Sequence, residues 1–233
     1  MGRRLLKFAT KTEEPMSTLT RDIYLEYQGL ARILHNVLFF DPSVDLIGSF
    51  IAFKTIESWP EYGLDDNESQ TKQLINNYLK HWSQEQRLSL KLDYGQLFYG
   101  PGDPSAAPWG SVYLSEKQLL NGESTLSLMN FYRERGIRFE LESNQPIDHL
   151  GLFFAVLDPI FGQLAEEDNP ELVGSCIILL QQHLLPWSDR CLELMHHHAE
   201  SDFYRGIALL TKSYLLQLTK SLQIVPISAQ LFR

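Results

Sequence analysis

Apolar positions recur every three or four residues along almost the whole chain, the spacing that lines one face of an α-helix. After Thr20, the residues Ile23, Tyr27, Leu30, Ile33, Leu34, Val37 and Leu38 keep that period. Asp41-Pro42 closes it, because the residue before a proline is pushed out of the helical region. A second helix carries Leu46, Ile47, Phe50, Ile51 and Phe53 and stops before Trp59-Pro60. Polar residues 61–69 read as a loop. A third helix holds Leu74, Tyr78, Leu79 and Trp82, and Ser83-Gln84-Glu85-Gln86 is a capping-box pattern opening a fourth. Within that fourth segment Leu88, Leu90, Leu92 and Tyr94 alternate, which on pattern alone predicts a strand.

The period returns beyond residue 115. Ser115-x-x-Gln118 predicts a cap on a short helix ending at Gly122, and Ser124 opens another that stops at Gly136, a natural position just past a helix end. From about Pro146 to Leu164 the chain is apolar almost all round, as a central helix would be, with Pro159 expected to kink it. Asn169-Pro170 predicts a cap followed by proline at the first helical position, opening a helix through Leu180. Trp187 and Leu192 flank Ser188 as a hydrophobic staple would, and Phe203, Ile207, Leu210, Tyr214 and Leu218 form the stripe of the last helix. These elements predict one all-α, bundle-like domain of about ten helices. It would span 17–233 behind a flexible tail at 1–16, with halves 17–98 and 115–233 joined by a loop at 99–114.

That loop breaks the pattern. Residues 97–114, LFYGPGDPSAAPWGSVYL, place Gly100, Gly102 and Gly110 and Pro101, Pro104 and Pro108 among bulky aromatics. Proline fixes φ and lacks an N–H, and glycine enters conformations other residues avoid, so this is a shaped loop. Its aromatics, Phe98, Tyr99, Trp109 and Tyr113, either form the wall of a binding groove or pack the loop onto the core. Tyr94, Leu97 and Phe98 come one helical turn apart and would line the same face as Trp109. Trp59 and Trp82 fall at helix ends, as core-edge residues do.

The same stretch resembles the TorD/DmsD family of redox-enzyme maturation chaperones. The matching residues are Leu97-Phe98-x-Gly100-Pro101, Pro104, and Pro108-x-x-Ser111-x-Tyr113. A second block, Pro146-Ile147-Asp148-His149-Leu150-Gly151, is similar to the family's Pro-x-Asp-His motif. Gly122–Leu126, Gly136–Glu140, Pro186–Ser188 and Leu231–Arg233 resemble the DmsD branch in particular. Ala107, Gln145, Leu152 and Phe153 depart from the common family pattern. The resemblance, running from about Leu30 to the end, implies a helix over 88–98 rather than a strand, and no partner strand is visible elsewhere. It also implies a protein that binds the twin-arginine signal peptide of a molybdopterin-containing reductase and delays its export until cofactor insertion and folding are complete. The resemblance implies that the pair Asp148-His149 binds that peptide. The candidate signal-peptide contacts are Tyr94, Leu97, Phe98, Gly100, Pro101, Pro108, Trp109, Ser111, Tyr113, Glu123, Asp148 and His149, with Tyr94, Leu97, Phe98 and Trp109 for its apolar part and Asp148, with Glu123, for its arginines. The export machinery is a further candidate partner.

Asp148-His149 lies where a costly charge needs a partner. Asp148 would either cap the following helix or sit in a groove floor attracting a guanidinium, a charge-assisted and often bidentate bond.

Composition narrows the classes. Net charge is −9 from 29 acidic and 20 basic residues, which argues against a nucleic-acid partner and permits a cationic one. No apolar run reaches the roughly 20 residues that cross a bilayer, so membrane insertion is not expected. Arg3-Arg4-Leu5-Leu6 echoes an export signal, but Lys11, Glu13 and Glu14 follow where an apolar region should be; a basic tail before a start near Met16 is expected instead. Cys176 and Cys191 read as core residues in a reducing, cytoplasmic setting. Three consecutive histidines, His196 to His198, point about 100° apart on a helix, so they predict a solvated helix end rather than a metal site. No cofactor and no metal is expected. Gly100-Pro101-Gly102-Asp103 lacks the lysine of a phosphate loop. Ser111 with His149 lacks the surroundings of a nucleophile, so an enzyme is not expected. Two other classes remain as alternatives: a helical adaptor docking a folded reductase subunit, and a weak guanine-nucleotide binder. The resemblance implies a monomer or a dimer that exchanges helical halves about the loop.

Overall fold

A computed structural model describes residues 19–64, 67–100, 102–141 and 144–233. The tail at 1–16 and Pro101 lie outside the described residues. The chain is all-α, and among the described residues there is no strand.

Helix α1 (Arg21–Phe39) opens at Thr20, whose hydroxyl accepts from the Ile23 N–H, and buries Tyr27, Leu30, Leu34 and Val37. It packs antiparallel along α7 (Leu150–Glu166), the apolar helix expected to be central. Tyr24 and Tyr27 meet Phe161 at one end. Arg32 grips Asp158 through two bonds of 2.8 Å in the middle. Phe39 closes on Gly151 and His149 at the other end. Pro159 lies inside α7, as expected. Leu34, Phe154 and Phe161 are sealed at the centre; each such side chain contributes roughly 1.5–3 kcal/mol of transfer free energy.

Short α2 (Val44–Ala52) is capped by Ser43. Helix α3 (Glu68–Lys80) lies against α10 (Asp202–Ser221), with Ile75 set on Gly206 and the Glu68 carboxylate accepting from Ser213. The N-terminal helices therefore share one core with the C-terminal ones.

The segment whose alternation predicts a strand is helix α4 (Gln84–Phe98), as the resemblance implies. Leu90, Tyr94, Leu97 and Phe98 face the core with helical spacing, whereas Leu88 and Leu92 stand in solvent, 63% and 65% exposed. Two exposed leucines created the apparent alternation. Ser83 caps the helix, its hydroxyl 3.4 Å from the Gln86 N–H.

Three boundaries differ from the pattern. The loop closes at Trp109, and α5 (Gly110–Leu114) follows it. The helix expected at 115–122 is a series of turns, because Gln118 and Asn121 take positive φ values of 50° and 58°. Helix α6 (Glu123–Glu134) then starts one residue before Ser124. It ends at Gly136 as expected, with the Ile137 and Gly136 N–H groups returning to the Tyr132 and Arg133 carbonyls.

The third difference is the expected break before Ser188. Asn169 caps α8 (Pro170–Ile178) as its sequence predicts, bonding the Leu172 N–H at 3.0 Å. The rod then continues through a π-helical turn at Leu179–Leu184 into α9 (Leu185–His198). The wider turn absorbs Pro186, which has no N–H to offer, and Ser188 is buried inside the helix rather than capping it. His197 and His198 are exposed at the end of α9. Cys176 and Cys191 are buried and free, and burial pushes both thiols up to about 12.

Candidate functional site

The Gly/Pro loop is built first by α4. The last carbonyls of a helix lack intrahelical donors, and here the loop folds back to supply them. The Gly100 N–H reaches the Gly95 carbonyl at 2.7 Å, Ser105 reaches Gln96 at 3.0 Å and Ala106 reaches Leu97 at 2.8 Å. Gly100 makes the reversal at a φ of +84°, with the Gly102 carbonyl where a Cβ would fall.

The two motif blocks then zip together. The Leu150 N–H donates to the Pro108 carbonyl at 2.7 Å, and the Gly110 N–H to the Asp148 carbonyl at 3.1 Å, forming an antiparallel bridge between Trp109 and His149. The Asp148 side chain completes the junction. Its Oδ2 accepts from the Ser111 N–H at 2.7 Å and from the Thr125 hydroxyl at 3.1 Å. Asp148 is therefore neither in the first turn of α7 nor its cap; it caps α5 across the junction and ties α6 to it. The cap of α7 is His149, whose Nδ1 accepts from the Gly151 N–H at 3.1 Å. The Gly151 carbonyl in turn accepts from His35 at 2.9 Å.

Burial holds the His149 imidazole neutral, with its pKa driven down to about 3. Because Nδ1 accepts, Nε2 carries the proton. That N–H is buried without a partner, as are the Ser111 hydroxyl and, beside it, Asp148 Oδ1. Buried polar atoms are nearly always hydrogen-bonded, so three orphans on adjoining residues mark an incomplete network.

Asp148 faces a cleft of about 70 Å³ lined by Gly110, Ser124, Ser127, His183 and Trp187 among others. That volume holds a small planar group, about two waters' worth. No residue lining it is lysine or arginine, and burial lowers the His183 pKa. Gly110 is required here: a Cβ would sit 2.7 Å from the Trp187 indole nitrogen.

The expected aromatic wall is corrected by burial. Tyr94, Leu97, Phe98 and Tyr113 are at most 1% exposed. Tyr94 and Phe98 pack on Tyr204, and Tyr113 stacks on Trp187. Each ring would lose its apolar burial by facing water, and the α4–α10 core offers that burial. Trp109 is 8% exposed, edge-on to His149, with its indole N–H 3.3 Å from Gln145 Oε1. Pro108 is buried in the zipped junction, whereas Gly100 lies at the loop's turn and Glu123 is exposed at the start of α6. The structure thus brings Pro108, Trp109, Ser111, Asp148 and His149 together, while Tyr94, Leu97 and Phe98 belong to the core behind them.

One group escaped the pattern. Leu119, Leu120, Leu126 and Met129 are 61%, 45%, 56% and 51% exposed around the start of α6. Leu126 and Met129, three apart, form an outward apolar pair on the helix that also carries Glu123 and Thr125. Their period matches a buried stripe, so only the competing stripe of Thr125, Leu128, Phe131 and Tyr132 could have shown them to be outside.

Among the described residues no cluster of ligating side chains fits a metal ion, and no helix is long and apolar enough to cross a membrane.

Residues 62–193 match the family described as nitrate reductase delta subunit. The chain is 32% identical over 209 residues to the Tat proofreading chaperone DmsD of Salmonella typhimurium, covering 89% of this chain and 96% of that one. It is 34% identical over 146 residues to the chaperone protein TorD of Pasteurella multocida, covering 61% of this chain and 64% of that one.

Proposed function

This chain belongs to the TorD/DmsD family of redox-enzyme maturation chaperones, and from that premise we propose that it is a cytoplasmic proofreading chaperone. Its ligand is the twin-arginine signal peptide of a molybdopterin-containing, dimethyl-sulfoxide-reductase-like subunit. Binding withholds the precursor from the export machinery until the cofactor is in place.

The observation that carries this proposal is Asp148, 3% exposed with no donor on its Oδ1, in the lining of a cleft that holds no lysine or arginine. A guanidinium supplies the missing donors and the missing charge at once. Glu123, exposed at the start of α6 and next in sequence to the cleft-lining Ser124, adds a second carboxylate, and the net charge of −9 draws a basic peptide toward the surface. The exposed Leu119, Leu120, Leu126 and Met129 suit the apolar stretch that follows the arginines. Pro108, Trp109, Ser111 and His149 act by holding Asp148 and α5 in place. Tyr94, Leu97, Phe98, Gly100 and Tyr113 act one step further back, fixing the loop.

A peptide that orders on binding spends part of its interaction energy on ordering, which yields reversible affinity suited to a chaperone. Calorimetry with a synthetic twin-arginine peptide, beside a control with both arginines changed to lysine, tests the proposal. Binding that weakens by about tenfold or more in the control is expected. Equal binding would remove the arginine-reading role of Asp148. No binding to either would leave the adaptor that docks a folded reductase.

A further inference from the structure

The segment after α10 leaves most of its apolar side chains in solvent. Ile224 is buried, but Val225, Ile227 and Leu231 stand 74%, 48% and 37% exposed. The segment bonds Gln181 through the Val225 carbonyl at 2.7 Å and is next gripped at Phe232 and Arg233. There the Phe232 N–H donates to the Tyr113 carbonyl at 3.0 Å, and the Phe232 carbonyl accepts from the Gln118 side chain at 2.5 Å. The Arg233 carbonyl accepts from Arg190 Nε at 3.1 Å, and the Arg233 guanidinium donates to the Pro104 carbonyl.

Three features distinguish this grip from ordinary packing. It reads main chain in three of its four bonds, one carbonyl and two side-chain donors facing a backbone, which is how proteins hold peptides of varied sequence. Its one side-chain-specific contact satisfies an arginine with a carbonyl rather than a carboxylate, so any suitably placed arginine fits. The grip also leaves the segment between its anchors uncovered. Residues 225–231 are all exposed, the signature of a locally weak segment.

We infer that the surface formed by Pro104, Tyr113, Gln118 and Arg190 is a second peptide-recognition surface. Its resident occupant is the chain's own segment 225–233, and a client peptide bearing an apolar residue beside an arginine displaces that segment. The inference rests on the signal-peptide reading for the identity of the displacing peptide, not for the surface itself. Proximity supports the link. Tyr113 belongs to α5, five residues and about 7.5 Å long, whose first turn is held by Asp148. A peptide engaging the Asp148 cleft thus arrives within a few residues' length of the strap.

The experiment follows amide hydrogen exchange in the full chain, with and without a saturating synthetic twin-arginine peptide. The Phe232 amide is expected to exchange at least about tenfold faster with the peptide present. The full-length double variant Phe232→Pro, Arg233→Ala, which removes the donor N–H and the guanidinium, is expected to bind that peptide about tenfold more tightly. It is also expected to bind a synthetic peptide of residues 225–233 supplied in trans, which the unmodified chain does not. Signal-peptide binding that leaves Phe232 as protected as before overturns displacement. Failure of the double variant to bind the 225–233 peptide overturns the recognition surface. If the twin-arginine peptide binds neither protein while the 225–233 peptide binds the variant, the surface stands and the signal-peptide reading falls.

Discussion

Asp93 and Asp148 are both buried carboxylates, 1% and 3% exposed, and the chain treats them differently. Asp93, on α4, has both oxygens occupied: Oδ1 accepts from the Glu200 N–H at 3.0 Å and Oδ2 from the Ser201 N–H at 2.8 Å. It fastens the turn between α9 and α10 and leaves nothing over. Asp148 joins three elements through Oδ2 alone and leaves Oδ1 bare. A buried carboxylate oxygen without a donor costs free energy, so the folded protein carries a deficit at Asp148 that it does not carry at Asp93. The first residue is a fastening. The second is a fastening with one oxygen that no donor of the chain reaches.

The largest effect should come from the completed site. Asp93→Ala strips two charge-assisted bonds and leaves two N–H groups without an acceptor. We expect a loss of about 3 kcal/mol of stability, read as a lower urea midpoint at unchanged slope. Under conditions where this variant is folded, its affinity for the twin-arginine peptide should be that of the unmodified chain.

Asp148→Asn should give the reverse. Its carbonyl oxygen can keep the Ser111 and Thr125 bonds, with the amide nitrogen falling in the place of Oδ1. Stability should then change by less than about 1 kcal/mol, while peptide affinity should fall by about 2 kcal/mol, roughly 30-fold. The same urea series and calorimetry check both numbers. If Asp148→Asn destabilises as strongly as Asp93→Ala and leaves affinity untouched, the contrast between the two carboxylates is wrong.

His149 adds a pH dependence to the junction. Its pKa falls from about 6.5 in the unfolded chain to about 3 in the folded one because burial penalises the charged ring. Below about pH 6.5 the unfolded state binds a proton that the folded state refuses. Stability therefore declines as pH drops toward 3, by at most about 1.4 kcal/mol per unit from this group. Above pH 6.5 both states are neutral at His149 and the slope vanishes. His149→Asn keeps an oxygen that can cap α7 and removes the titration. Urea midpoints measured between pH 7 and pH 4 should therefore fall less steeply for the variant.

How much of this was legible in sequence depends on which force decided each feature. The 3.6-residue period placed α1, α7 and α10 because burial of one face dominates there. Asn169-Pro170 and Gly136 marked ends because capping is local chemistry. Leu88 and Leu92 misled because periodicity cannot tell an exposed leucine from a buried one. The turns at 115–122 were missed because Gln118 and Asn121 take positive φ without glycine to announce it. At the site, Asp148-His149 and the Gly/Pro loop were visible as motifs. Their division of labour was not, because the helix that Asp148 caps lies 37 residues away in sequence. The burial of Tyr94 and Phe98 was hidden for the same reason: their partner Tyr204 is on the last helix.

The exposed apolar pair on α6 offers the smallest effect and the sharpest separation of surface from core. Leu126 and Met129 are 56% and 51% exposed, and neither side chain holds the fold. Leu126→Ser with Met129→Ser should move stability by no more than about 0.5 kcal/mol. If the apolar stretch of the peptide lies on them, covering their exposed surface contributes about 1 kcal/mol to binding. The double variant should then bind about fivefold more weakly. The twin-lysine control peptide should lose the same factor, because this contact does not read arginine. Affinity lost only by the twin-arginine peptide would instead place Leu126 and Met129 beside the guanidinium. No change in either titration would move the apolar stretch away from α6, and Leu119 and Leu120 would be the next pair to replace.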